Sequence, residues 1–443
     1  MILVPAMSSQ LQPLAAVGVL AAFLVAGCGS SPTASRPSPE PTPTLVTAPD
    51  SARVDLQEPT FSDPTTITNP LFPISDLTQV VQVGAEGDVA LRHEITLLPQ
   101  TKTIEWNGQQ VETVVSQFMA YGDGRILEVA TDFFAQADDG SVWYFGEDVA
   151  NYVDGVLDNH DGTWLAGKDG PPGMIMPADP QVGDVWRPEN IPGFVFEEVT
   201  AKSITETVDG PQGPVEGAML VEELLMDGVL EDKIFAPGYG EFMAQVVSED
   251  ELVNVSVGVP RDELSGSVPA ELDTISTTAS GLVGTPADWA AAETAIATLT
   301  SAWEGYQGND VSPLTADQID QGIEALRAGV EAQDEAATQE AAFDLAHAAT
   351  DLRLRHEPPA AADLLRLDLI SARVAADAST GEMPFVAGDA AELQSIWDRV
   401  SHTAADPSTV DGVLSDLHAA VEAADLAAAS AAAEQLRTAL ADL

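Results

Sequence analysis

The chain has 443 residues, with 71 acidic against 17 basic side chains and a net charge of −54. That balance argues against nucleic acid as a partner, because phosphate recognition needs basic patches, and against adhesion to anionic lipid headgroups. Cys28 is the only cysteine, so no intramolecular disulfide is available and the fold must rest on its cores.

Residues Leu14 to Ala26 are almost wholly apolar and lead into Leu24-Val25-Ala26-Gly27-Cys28-Gly29. The run is about 13 residues, the length of a signal-peptide core and too short to span a bilayer. Small residues before a cysteine at the end of such a run predict a lipoprotein signal over residues 1–27. Cys28 is then the acylated N-terminus of the mature chain, and two acyl chains hold stably where one is marginal. Residues 1–27 contain no Lys or Arg, a departure from the usual basic start of a signal. The predicted location is the extracytoplasmic face of the cell membrane, with the lipid as the only attachment. Residues 28–60 are rich in Ser, Thr and Pro and lack apolar periodicity. They predict an extended tether, rising about 3 Å per residue where it is polyproline II.

From residue 61 to 260 the texture changes. Short alternating runs are separated by Asn107-Gly108, Asp123-Gly124, Asp139-Gly140, Asp154-Gly155, Asp161-Gly162, Asp209-Gly210 and Asp227-Gly228. Such dipeptides tolerate the positive φ of tight hairpins. Val89, Leu91, His93, Ile95 and Leu97 share one strand face, and Arg92, Glu94 and Thr96 share the other. Ten of the 13 Phe and four of the seven Trp fall in this region, as a β core requires. The pattern predicts an antiparallel meander of about eight to twelve strands, forming a sandwich or a partly open barrel. Residues 169–193 hold six prolines, which exclude a long central strand. They predict a covering loop with one short strand near Asp184–Arg187. Met174, Ile175 and Met176 are candidates either for plugging one end of the barrel or for a lid over an apolar cavity.

Residues 261–284 have few large apolar side chains and read as a linker. Beyond them, residues 285–443 are Ala-rich with apolar positions at helical spacing, among them Ile319, Ile323, Leu326 and Val330. Thr285-Pro286 reads as a cap with Asp288 at N3, and Thr315-x-x-Gln318 as a capping box. About six or seven helices are expected, in a bundle packed through Ala and Leu. The fold class is thus α+β, a β meander followed by an all-α bundle.

Motifs for chemistry are sparse. No G-x-S-x-G, H-E-x-x-H, P-loop or dinucleotide fingerprint occurs, and no cofactor is expected. At Asp161-Gly162 and Asp154-Gly155 the calcium-loop template fails at its ligand positions. Glu128 and Asp132 share a strand face, with Ile126 and Phe134. Taken as about 7 Å apart along the strand, they are candidates for hydrolytic acid–base work. His93, on an apolar strand face, reads as a core histidine or else a catalytic base. Asp344, His347 and Asp351 fall on one helix face and are candidate metal ligands; the competing reading is an ion network. Arg353, Arg355, Arg366, Arg373 and Arg399 interleave with Asp351, Asp363, Asp368 and Asp398, as in an inter-helix ionic network or an anion site.

Four phrases mark the β region: Ser141-Val142-Trp143-Tyr144-Phe145-Gly146-Glu147-Asp148; Gly162-Thr163-Trp164-Leu165-Ala166-Gly167-Lys168; Met174-Ile175-Met176-Pro177 with Val182-Gly183-Asp184-Val185-Trp186; and Phe235-Ala236-Pro237-Gly238-Tyr239-Gly240-Glu241. They resemble an uncharacterised family of exported actinobacterial proteins and lipoproteins, across most of residues 61–260. The Pro180 to Trp186 phrase and the Pro237-Gly238-Tyr239-Gly240 turn are also similar to phrases of lipoprotein carriers with a half-open barrel over an apolar cavity. The expected function is ligand or partner binding in the cell envelope, toward an apolar ligand or a wall component. An acid-based envelope hydrolase and a weak divalent-cation module are the alternatives.

Overall fold

The computed structural model describes residues 45–283, 288–309 and 311–443. The signal, Cys28, the first part of the tether and the Thr285-Pro286 cap lie outside the described residues. Tight turns joining long strands build the sheet. Its long members are β1 (Gln79–Glu86), β2 (Val89–Trp106), β3 (Gln109–Gly122), β4 (Arg125–Gln136) and β5 (Val142–Val153), then β11 (Val195–Gly210) to β15 (Glu251–Val259). Between β11 and β15 lie β12 (Gly213–Leu225), β13 (Leu230–Ala236) and β14 (Gly240–Val246). Asn107, Asp123 and Asp154 adopt positive φ of 50°, 47° and 49°, as the dipeptide pattern requires. All long-strand pairs are antiparallel, in the spatial order β11-β12-β13-β14-β15-β1-β2-β3-β4-β5, with β6 (Val156–Asn159) beyond β5 and β10 (Asn190–Ile191) beyond β11. One curved sheet forms, not a sandwich, and its ladder is not closed.

The gap between β5 and β11 is filled by the proline-rich segment. β7 (Trp164–Leu165) and β8 (Gly173–Met176) pair with β5, while β9 (Val185–Trp186) pairs with β11. The Met174 amide donates to the Arg187 carbonyl at 3.0 Å, and Trp186 Nε1 to the Ile175 carbonyl at 3.2 Å, stitching the two margins together. Met174, Ile175 and Met176 are therefore buried wall residues of a strand, not a loop over a cavity. Short strands succeed here where a long one is excluded, because the prolines fall between the ladder positions.

Two sequence boundaries shift. The tether does not run to residue 60: the Ala48 amide donates to Glu198 at 2.6 Å, and Arg53 bridges to Val185, so the chain from about residue 45 lies on the β region. The linker of residues 261–284 holds α1 (Ala270–Val283), whose Leu272, Ile275, Ala279 and Val283 are buried at helical spacing. Its Ser, Thr and Gly content masked a four-residue apolar stripe.

Among the described residues seven further helices follow: α2 (Trp289–Tyr306), α3 (Pro313–Ala332), α4 (Glu335–Arg353), α5 (Pro359–Thr380), α6 (Met383–Val400), α7 (Ser408–Glu422) and α8 (Leu426–Ala441). Asp288 is the N-cap of α2 and not N3. Ser312 caps α3 with Pro313 at N1, so the helix begins ahead of the expected Thr315 box. The bundle packs on the outer face of the sheet. Met119, Tyr121 and Ile126 enter the helical core, and Val81, Val83, Val257 and Val259 meet Leu354 and Ala362. At the far end of β5, the Asp154-Gly155 turn fits against α6, where a Cβ on Gly388 would stand 2.9 Å from the Gly155 Cα. Only glycine on both sides permits that approach.

Candidate functional site

Placing the bundle outside leaves the inner face as a lumen. The register fixes which side chains enter it. Phe118 and Ser116 on β3 stand opposite Ala130 and Asp132 on β4, and Asp132 stands opposite Glu147 on β5. On the far wall Glu223 on β12 pairs with Glu231 on β13, and Val221 with Lys233. A cavity of about 70 Å³ lies between these walls. Phe118, Phe134, Trp186, Val221 and Phe235 give it apolar sides, and Asp132, Glu223, Lys233 and Glu241 are its charged groups.

The lumen is lined by far more acid than base. Glu128, Asp132 and Glu147 come from β4 and β5; Glu189 comes from the seam segment and Glu197 from β11. Glu223, Glu231, Glu241 and Glu251 come from β12 to β15. All nine are buried, Asp132 and Glu241 the least so at 7% and 8% exposed. Lys233 is the one buried cation among them, with Nζ 2.6 Å from Glu223, 3.3 Å from Glu231 and 3.8 Å from Glu241. Trp164 Nε1 donates to Glu189 at 2.7 Å, and the Tyr144 hydroxyl donates to Asp132 at 3.1 Å. Among the described residues Glu128 and Glu197 have no hydrogen-bond partner on either carboxylate oxygen.

Burial, joined in most cases by like charge, raises Glu128, Asp132, Glu147, Glu189, Glu197, Glu231, Glu241 and Glu251. Burial and Asp132 push Glu128 up to about 8. Burial pushes Asp132 to about 7 against the opposing Tyr144 hydrogen bond. Glu189 and Glu231 also reach about 8, while Glu147 and Glu197 rise well above the ordinary range. Each such group keeps its proton in the fold at a pH where the unfolded chain has lost it. The stabilisation is therefore present at mildly acid pH and is lost as pH climbs toward the folded value. Stability should fall between pH 6 and 8 by at least about 1.4 kcal/mol per pH unit, the slope for one proton. Urea melts across that range check it, and a flat or rising profile would contradict the burial of these carboxyls.

Several sequence-derived candidates move. Ile126 does not share the face of Glu128: a bulge opposite Ala120 and Tyr121 reverses the alternation and sends Ile126 into the helical core. Glu128 and Asp132 are four residues apart, roughly 13 Å of strand rise, beyond the about 5–9.5 Å of a glycosidase pair. Asp132 instead faces Glu147 across the ladder. His93 is a lumen residue, with Nδ1 3.3 Å from Gln82 Oε1 and its ring edge-on to Phe118. Burial, Arg92 and Lys233 depress it to about 3, which leaves it neutral and a poor base at physiological pH.

The expected metal triad does not assemble. His347 and Asp351 meet Glu94 of β2, while Asp344 lies apart near Gly124. Arg92 Nε donates to Asp351 at 2.7 Å, and Arg366 Nη2 donates to Asp351 at 2.6 Å. Arg399 Nη2 lies 2.6 Å from both Glu94 and Asp363. Three guanidiniums thus neutralise Glu94, Asp351 and Asp363, and burial and Arg92 hold the His347 imidazole neutral. The donor set does not fit a metal ion, since its negative charge is already matched. A second ionic group, Arg125 with Asp377 at 2.6 Å and Arg373 with Asp389 at 2.6 Å, fixes the β3–β4 turn to α5 and α6. Arg353 pairs with Asp273 and Glu357, Asp368 pairs with Arg437, and Arg355 Nη1 donates to the Asn309 carbonyl.

The sequence did not single out Glu147, Glu189, Glu197, Glu223, Glu231, Glu241 or Glu251. Their signal is an acid at the end of a period-2 apolar set, as in Met219-x-Val221-x-Glu223. In a chain this acidic the same signal recurs on exposed faces. No protein-family model and no curated protein matches the chain.

Proposed function

We propose that this is an exported, lipid-anchored binding protein of the cell envelope. Its barrel takes a small ligand into the lumen, and the helical bundle braces the barrel from outside. One observation carries the reading: a cavity inside the barrel with mostly apolar walls and a few convergent charged groups, Asp132, Glu223, Lys233 and Glu241. That composition is typical of small-molecule sites, in which apolar walls supply affinity and a few polar groups fix orientation. The anchor reading rests on Cys28 and the apolar run before it. No helix among the described residues is long and apolar enough to cross a membrane.

The Cys28→Ala chain tests both parts. It should be released to the medium, whereas retention on membranes would overturn the anchor. Purified from the medium, it should bind a neutral apolar fluorescent probe with one-to-one stoichiometry. Ser116→Leu should abolish that binding, because Ser116 is fully buried, lines the cavity and has an unpartnered hydroxyl. An unaltered probe affinity in Ser116→Leu, or a wild-type chain that binds nothing and gains stability on filling, would reduce the cavity to a packing void.

A further inference from the structure

Resting on that reading, we propose that the ligand class is an organic oligocation: a slender aliphatic chain carrying two or more ammonium groups. The lumen already holds one example of the chemistry. Lys233 is a butylammonium on a stem, with its nitrogen within 2.6–3.8 Å of three carboxylates, and its strand neighbours in the cavity wall are Val221 and Phe235. The inward acids extend beyond this cluster. Glu128 and Glu197 are 1% and 2% exposed, face inward by their strand register beyond the cavity's own lining, and have no partner on any carboxylate oxygen among the described residues. An unpaired buried carboxylate is costly unless a cation or a proton reaches it.

Geometry separates this from a metal site. Among the described residues, the one group of three ligand atoms close enough to share an ion is Glu94, His347 and Asp351, on the outer face. The lumen acids are instead spread over successive strands, about 4.8 Å apart in the ladder. A point charge cannot satisfy such an array, whereas ammonium groups spaced by three or four methylenes can. The apolar walls, Trp186, Phe118 and Phe134 among them, suit the methylenes.

The raised carboxyls make the test specific. With no ligand they hold protons, so an entering oligoamine must displace them, while surface acids are already ionised. Groups facing the array are Lys233 from β13, neutral His93 from β2, Gln82 from β1, and the Tyr144 and Trp164 donors. None of these supplies a second positive charge. Calorimetry on the released Cys28→Ala chain would use spermidine and 1,4-diaminobutane, with butylamine, Ca²⁺ and the neutral apolar probe as comparisons. The expected result is one-to-one spermidine binding at pH 8.5. It should weaken at least tenfold at pH 6.0, with a heat that varies with the buffer's ionisation enthalpy. Glu128→Gln and Glu197→Gln should each weaken spermidine at least tenfold while keeping the neutral probe, and the exposed Glu216→Gln should change neither. Probe binding without spermidine binding would overturn this inference and leave the binding reading standing. Spermidine binding that is independent of pH between 6.0 and 8.5 and lost in salt would assign it to the outer surface and overturn the inference, as would tighter binding of Ca²⁺. Failure of every probe would remove both readings.

Discussion

Glu94→Gln should destabilise the protein by about 3–5 kcal/mol, the usual cost of removing one partner from a buried ionic cluster. Glu94 is fully buried on the outer face of β2, with Arg366 Nε at 3.3 Å and Arg399 Nη2 at 2.6 Å. The cluster balances three guanidiniums against three carboxylates, so the neutral amide leaves one positive charge unmatched away from water. Because Asp351 sits on α4, Asp363 and Arg366 on α5 and Arg399 on α6, the loss falls on the joint between sheet and bundle. Burial by itself would raise the Glu94 carboxyl, but Arg366, Arg399 and Arg92 outweigh it and hold the carboxyl well below the ordinary range. Its stabilisation is therefore complete above the unfolded value of about 4.3 and is lost as pH falls below it. Urea melts at pH 7 and pH 3 measure both effects. The variant's disadvantage should shrink by up to about 1.8 kcal/mol at pH 3, and a difference under about 1 kcal/mol at pH 7 would show that the cluster is not buried as described.

The opposite pH dependence is expected of Lys233→Met. Lys233 is 3% exposed and, among the described residues, is the one buried cation facing the lumen acids. Burial disfavours its charge, yet Glu223, Glu231 and Glu241 hold its ammonium well above the ordinary range, so it is charged throughout the physiological window. Glu231, already near 8 through burial, is lowered by Lys233, and Glu241 is lowered by it too. Removing the lysine lets both rise further. Their protons then stay on in the fold to higher pH, and stability falls more steeply as pH increases. The expected loss is about 3–5 kcal/mol at pH 8.5, shrinking as pH falls toward 4, where Glu231 and Glu241 hold their protons in the fold and largely hold them in the unfolded chain. Denaturant melts at the two pH values test this. Equal losses at both would mean that Lys233 acts through packing alone.

Both predictions concern charges whose setting the sequence shows only in part. Alternation placed Arg92, Glu94 and Thr96 on one face of β2 and His93 and Ile95 on the other, and the structure keeps that division. A polar strand face ordinarily meets water. Here it meets α4, α5 and α6, and its charges are satisfied by partners more than 250 positions away, such as Asp351 for Arg92. No local pattern encodes such pairing. His347 and Asp351 were legible as neighbours on a helix face, but the third member, Glu94, comes from a strand, and the arginines that disqualify a metal come from three elements.

Local rules held where the interaction is local. Most of the Asn-Gly and Asp-Gly turns, the meander they impose and the helical stripes follow from backbone preferences and from periods of 2 and 3.6 residues, but Asp209-Gly210 ends β11 as paired strand and the turn falls on Pro211-Gln212. They failed where one residue changes the count, as at the bulge that turns Ile126 outward, or where an apolar stripe is thin, as in α1. They also could not weigh the nine inward acids. A carboxylate on an alternating strand looks the same whether its face closes around a lumen or opens to solvent.

The sequence by itself determined the α+β order, most of the hairpin positions, the dominance of acid over base and the single cysteine, because each depends on residue type or near-neighbour spacing. The tertiary structure decided that the sheet curls until residues 173–191 bridge its margins, that the bundle covers the outside and that the acids meet within. Those outcomes depend on long-range packing, in which curvature and burial, not composition, turn scattered carboxylates into one site.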